Sequence, residues 1–106
     1  MNAIQVNSTH WKNAVVLFDN DDFSVIKGVF LDGKNTEKLG IRWNQIGSSD
    51  SGFPVDKFGN PEWFVLPPEL DSAVLLGLAK TVLQNTKQID VATQKELNAT
   101  IKSRNL

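Results

Sequence analysis

The chain contains no cysteine, which excludes disulfide stapling, thiolate catalysis and any thiolate-held zinc or iron–sulfur site. It has one histidine, His10, and nothing around it that resembles the sharp Gly-x-Ser-x-Gly turn of a serine hydrolase. Ser8 lies too close to His10 in sequence to form a preorganised triad with it. No apolar run approaches the ~18–20 residues of a membrane span. The stretch Met1-Asn2-Ala3-Ile4-Gln5-Val6 lacks the basic and apolar regions of a secretion signal. A cytoplasmic protein with no membrane contact is therefore expected. There is no surplus of one charge either: 11 basic and 12 acidic side chains over 106 residues leave −1, which argues against a polybasic nucleic-acid binder. No internal repeat or low-complexity segment divides the chain, so residues 1–106 are expected to form a single domain.

Apolar residues make up 41% and charged residues 22%, near the globular averages of about 45–50% and 25%, so the chain should fold around a packed core. Its charge is unevenly placed. Residues 1–79 carry six basic and ten acidic side chains, net −4, whereas residues 80–106 carry Lys80, Lys87, Lys95, Lys102 and Arg104 against Asp90 and Glu96, net +3. Opposite ends of two subunits would attract. A nucleic acid is the least favoured partner of the basic segment, which has one arginine and no interleaved aromatic residue.

The pattern predicts an α+β fold, with a four-stranded, mainly antiparallel meander over about residues 12–67. Ala14 to Phe18 and Phe23 to Leu31 are rich in strand formers and are separated by the turn residues Asp19-Asn20-Asp21-Asp22. Asp32-Gly33-Lys34-Asn35 supplies the next turn and Lys38 to Asn44 the third strand. After a long irregular stretch to Asn60, Pro61 to Pro67 reads as the fourth strand. Pro67-Pro68 then opens a helix over about 69–84, and Asp90 caps a thinner amphipathic helix over about 90–103. The first helix is apolar nearly all round, because Ala73 to Ala79 contains no polar side chain. Such a helix needs cover on two sides. A homo-oligomer with Leu75, Leu76, Leu78, Ala79 and Val82 at its interface is expected to supply it.

Several polar clusters invite chemistry and fail on spacing. Asp19, Asp21 and Asp22 crowd one turn, yet Phe23 stands where a calcium loop needs a third oxygen ligand, and neither the central glycine nor the closing glutamate follows. Adding the distant Asp32 would complete a four-carboxylate group, but nothing in the spacing requires it. Asp50, Asp56, Glu62 and Glu69 offer carboxylates for acid–base work, but a glycosidase cleft is hard to build in so short a chain. Gly47-Ser48-Ser49-Asp50-Ser51-Gly52 lacks the lysine and the helix of a phosphate loop. No catalytic residue, cofactor or metal is assigned.

The informative collection is Arg42, Trp43, Phe53, Phe58, Trp63 and Phe64. Five of the nine aromatic residues fall within 22 positions, before, within and after the 44–60 loop. Strand alternation puts Trp43 with Ile41 on one face and Arg42 with Asn44 on the other, and sets Trp63 and Val65 opposite Phe64 and Leu66. One face meets the helix. On the other, Arg42 and a large aromatic such as Trp63 are expected to line a shallow pocket, with Phe53 or Phe58 folded over it. Aromatic and arginine anchors dominate interfaces and small-ligand sites. The expected function is a small non-catalytic interaction protein, a regulator or inhibitor of a protein partner. A small-ligand binder or minor enzyme comes second and a nucleic-acid accessory protein third.

The string Gly52-Phe53-Pro54, with Gly59-Asn60-Pro61-Glu62-Trp63-Phe64-Val65-Leu66-Pro67, resembles short uncharacterised bacterial proteins of prophage or mobile-gene type. The resemblance spans 16 residues. It implies a bacterial accessory gene and carries no site residue.

Overall fold

The computed structural model describes residues 2–84 and 89–106; Met1 and Lys87 lie outside them. Four antiparallel strands run in sheet order as in sequence: β1 (Trp11–Asp19), β2 (Phe23–Phe30), β3 (Glu37–Trp43) and β4 (Phe64–Val65). Two helices follow, α1 (Asp71–Gln84) and α2 (Val91–Ser103). Both hairpin turns are built by side chains that satisfy the backbone locally. Asn20 Oδ1 accepts from the amides of Asp22 and Phe23, each at 2.8 Å. Asp32 Oδ1 accepts from Lys34 and Asn35 at 3.1 and 3.2 Å, while Gly33 takes a φ of 97°. These turns fix the register, which opposes Phe23 to Trp43 and Val25 to Ile41.

β1 is irregular in two places. The first break follows Lys12, where Asn13 has a φ of 57°, and the second lies between Val16 and Phe18. The second bulge sends two successive residues, Leu17 and Phe18, into one core. That core lies between the sheet and the helices and includes Val25, Leu39 and Leu66 with Leu75 and Leu78 of α1 and Leu97 of α2. On the opposite face Trp11, Ile26 and Trp63 pack with Ala3 of the N-terminal segment. The Trp11 ring lies across β2 and β3 because they carry glycines there: a Cβ on Gly40 would stand 3.1 Å from it.

Two expectations change in detail. Pro61 and Glu62 do not extend the fourth strand. Pro61 is bridged to Val55 of the loop, and the Glu62 amide donates to Pro54 O at 2.9 Å, so pairing with β3 begins at Phe64. The apolar α1 reaches the core through Leu75, Leu78 and Val82 and leaves Leu76 and Leu83 exposed, while the more polar α2 is laid against β1. Asp90 caps α2, accepting from the Ala92 amide at 3.4 Å. At the other end Arg104 donates to Asp71 at 2.7 Å and to Glu37 at 2.9 Å. One cation of the basic segment thus finds its carboxylates within the same chain. Among the described residues no helix is long and apolar enough to cross a membrane.

Candidate functional site

The end of β3 divides the expected binding residues between two faces. Ile41 and Trp43 point to the side of the helices, and Phe23 and Phe64 join them as direct cross-strand partners of Trp43 and Ile41. Phe53 occupies the place beyond β4. Its carbonyl accepts from the Trp43 amide at 2.8 Å and its amide donates to the Trp43 carbonyl at 3.1 Å. Phe23 and Trp43 meet edge to face, with centroids 6.4 Å apart. Together with Pro54 these side chains line a shallow cleft of about 430 Å³. The helices do not cover it: Trp43, Phe53 and Phe64 are 53%, 54% and 55% exposed.

Arg42 lies on the opposite face and is 2% exposed. Its guanidinium donates to the carbonyls of Glu62 at 2.9 Å, Trp43 at 3.3 Å and, closest, Ser51. It also rests 6.0 Å from the centroid of the Trp63 ring. Burial pulls its pKa below the ordinary arginine value, and the negative charge of Glu62 acts the other way. Arg42 is thus a clamp that draws both ends of the 51–62 segment onto β3. Between Arg42 and Trp63, where a shallow pocket is expected, the two side chains pack on each other, 2% and 7% exposed, with Ala3 of the N-terminal segment on the same face. Phe58 also stands apart from the cleft: it is 78% exposed, and Lys57 Nζ sits 5.2 Å above its ring.

The loop is tied at further points. Gly52 has a φ of +64°, and a Cβ there would lie 2.0 Å from Trp43 O, so only glycine permits the approach that brings Phe53 to Trp43. Asn44, buried at the loop's start, donates through Nδ2 to Asn20 O at 2.6 Å and to Asp19 Oδ1 at 3.1 Å. Its Oδ1 accepts from the buried Ser24 hydroxyl at 2.7 Å. Asp56 organises the second half, accepting from the amides of Phe58 and Asn60 at 2.8 and 2.9 Å. The Asn60 and Phe58 amides hold its carboxyl below its ordinary pKa.

The polar clusters have structural tasks. Ser8 Oγ donates to Glu62 Oε1 at 2.6 Å, and His10 Nδ1 lies 3.2 Å from Glu62 Oε2. Serine and histidine therefore share one carboxylate, with Ser8 Oγ also accepting from the His10 amide at 3.1 Å, and together they fasten the N-terminal segment to the loop. Asp19 accepts from the Ala3 amide at 3.0 Å. Among the described residues no group of three metal-ligating side chains is present. Gly47 to Ser49 form a tight turn closed by Ile46 and Ser49, with no helix behind it.

Of the interface residues expected on α1, Leu75, Leu78 and Val82 are buried in the chain's own core, Ala79 is half-buried, and Leu76 alone is exposed. The helix is less naked than its composition implies, because sheet and α2 together take up three of its large side chains. Phe23, Ile41 and Pro54 join the cleft without having been singled out in the sequence. For Phe23 a signal exists: the Asp32-Gly33 turn sets the register that places it beside Trp43. Comparison with protein-family models returned no match, nor did comparison with curated proteins or with solved structures. The site is therefore read from its geometry.

Proposed function

We propose that this protein is a small interaction module that regulates or inhibits a protein partner, and that the partner is held on the cleft of Trp43, Phe53 and Phe64. The observation that carries this reading is three neighbouring aromatic rings, each more than half exposed, on a frame that Arg42, Gly52 and Asn44 hold from beneath. Covering the exposed part of each ring, roughly 100 Å², is worth about 2–3 kcal/mol. Rings preorganised in this way lose little freedom on binding. Arg42 is the one ionisable residue of the lining, and its guanidinium is turned to the other face, which supports binding over proton transfer at this cleft. A small apolar ligand is a second reading, favoured by the volume of about 430 Å³, within the usual range of ligand pockets.

The test is affinity purification from a host lysate with the wild type, Trp43→Ala and Phe64→Ala as parallel baits, each checked by circular dichroism and thermal melting. A protein retained by the wild type and lost from both folded variants supports the proposal. Identical retained proteins on all three baits overturn it. A small molecule found by native mass spectrometry on the wild type alone, with no such protein, transfers the cleft to the second reading.

A further inference from the structure

Most of the α1 residues expected to join two copies lie in the chain's own core, and the face that α1 leaves open is a different one. We infer that two copies of the chain associate through this outer face, antiparallel, with Glu69 of each opposite Lys80 of the other. The pairing uses no residue of the aromatic cleft and does not rest on the function proposed for it.

Glu69 lies in the single turn Pro68–Leu70 that runs directly into α1. Glu69, Ser72, Leu76, Lys80 and Leu83 then follow one another three and four residues apart, the spacing of one helix side, and all five are exposed. That side is turned away from Leu75, Leu78 and Val82, which enter the core. Leu76 is 49% and Leu83 81% exposed. Neither Glu69 nor Lys80 takes part in an ion pair among the described residues. Gly77 beside this stripe weakens the helix interior, yet a Cβ there would meet no atom within 4 Å. Its smallness serves no contact inside the chain, whereas a second helix passing close by would use it.

The charges select both the occupant and its direction. The stripe has its acid at the start and its base near the end, so a parallel copy sets like charges side by side. An antiparallel copy sets unlike charges together twice, in the self-complementary manner of a two-fold pair. With Glu69 opposite the partner's Lys80, the even rise of the helix places Leu76 opposite the partner's Ala73, close to the two-fold axis. Leu83 then reaches the exposed Pro67 and Pro68, where the partner's helix begins. Large side chains thus meet small or flat ones on both sides of the axis. The stripe is roughly 20 Å long, and covering it in both copies buries on the order of 1,000 Å², the lower end of specific interfaces. That area suits a reversible dimer of micromolar strength and falls short of an obligate one.

The experiment is sedimentation equilibrium of the whole chain from about 1 µM to about 1 mM, the range in which a small interface fills. The wild type is expected to pass from the mass of one chain to that of two, and Leu76→Glu to stay at one. Glu69→Lys and Lys80→Glu should each weaken the dimer about tenfold, since both attractive pairs become repulsive. An equimolar mixture of these two variants should dimerise about as well as the wild type, because each copy then offers the charge that the other needs. All these side chains are exposed, and circular dichroism checks each fold; should Leu76→Glu not fold, the charge variants and their mixture decide alone. A single-chain mass at every concentration overturns the inference. So does a dimer that the charge variants leave unchanged, or a mixture that fails to restore it. Trp43→Ala should dimerise like the wild type; loss of the dimer in that variant moves the contact to the aromatic cleft and overturns its assignment to α1.

Discussion

Trp43 ends β3 and Trp63 directly precedes β4, so they flank the same loop, yet one is 53% exposed and the other 7%. Around Trp63 the structure is closed: Arg42 stacks on the ring and donates to three carbonyls, and Ala3 covers the face. Around Trp43 the neighbours include other aromatic rings, and Trp43, Phe53 and Phe64 each stay more than half exposed. The difference does not come from residue type. It comes from which face of the sheet the N-terminal segment covers and from the helices stopping short of the last pair of β2 and β3. Aromatic density in a sequence therefore marks a place where one set of rings can build the support for another.

The sharpest way to break the comparison is to truncate each tryptophan in turn. Trp63→Ala should cost about 3–5 kcal/mol, the usual loss for a large buried ring, and should also expose the Arg42 clamp. Trp43→Ala should change stability by no more than about 1 kcal/mol, since it removes a half-exposed surface ring. Urea denaturation of both variants checks the pair, and equal losses would mean that the two faces are not the buried frame and open cleft described. Gly52→Ala comes next. Its new Cβ collides with Trp43 O, and the positive φ is disfavoured for alanine, so a loss of about 2–3 kcal/mol is expected. The Phe53 amide, which donates to Trp43, should then exchange with solvent much faster than in the wild type, while the Val25 and Ile26 amides keep their protection.

The sheet could be read from the sequence because its turns are chemically explicit: Asn20 and Asp32 make the local hydrogen bonds that their positions suggest, and register follows. Alternation along β3 also separated Arg42 from Trp43 correctly. What alternation cannot tell is which face is covered. Ala3 and Val6, small and without periodic neighbours, give no sign that they will close the face of Trp63. Proximity in sequence likewise put Phe58 in the site, but the Asp56 turn carries it away on the loop. On α1 the uninterrupted apolar run pointed to a partner subunit, because composition does not show that Leu75, Leu78 and Val82 already have partners in the sheet and α2. Gly52 reads as an ordinary loop glycine until the distance to Trp43 O is known.

The smallest expected effect separates the two halves of the loop by pH. The first half is tied by Arg42, which stays charged throughout the acid range, and by backbone pairing of Phe53 with Trp43. The second half depends on the Asp56 carboxylate, which the amides of Asn60 and Phe58 hold below its ordinary pKa of 3.8. A carboxyl whose pKa is lowered by folding stabilises the fold fully above its unfolded value, and that contribution is lost as pH falls through the lowered one. The amide signals of Phe58 and Asn60 should therefore shift and lose protection only on acidification below the ordinary aspartate range, while those of Trp43 and Phe53 stay in place. Asp56→Asn should abolish the step. Because Asp56 lies at the surface, the change should appear as local loosening near Phe58, with the melting of the sheet hardly altered. If the Trp43 and Phe53 signals move together with those of Phe58 and Asn60, the cleft shares its anchorage with the loop tip, and the division between a fixed half and a titratable half is lost.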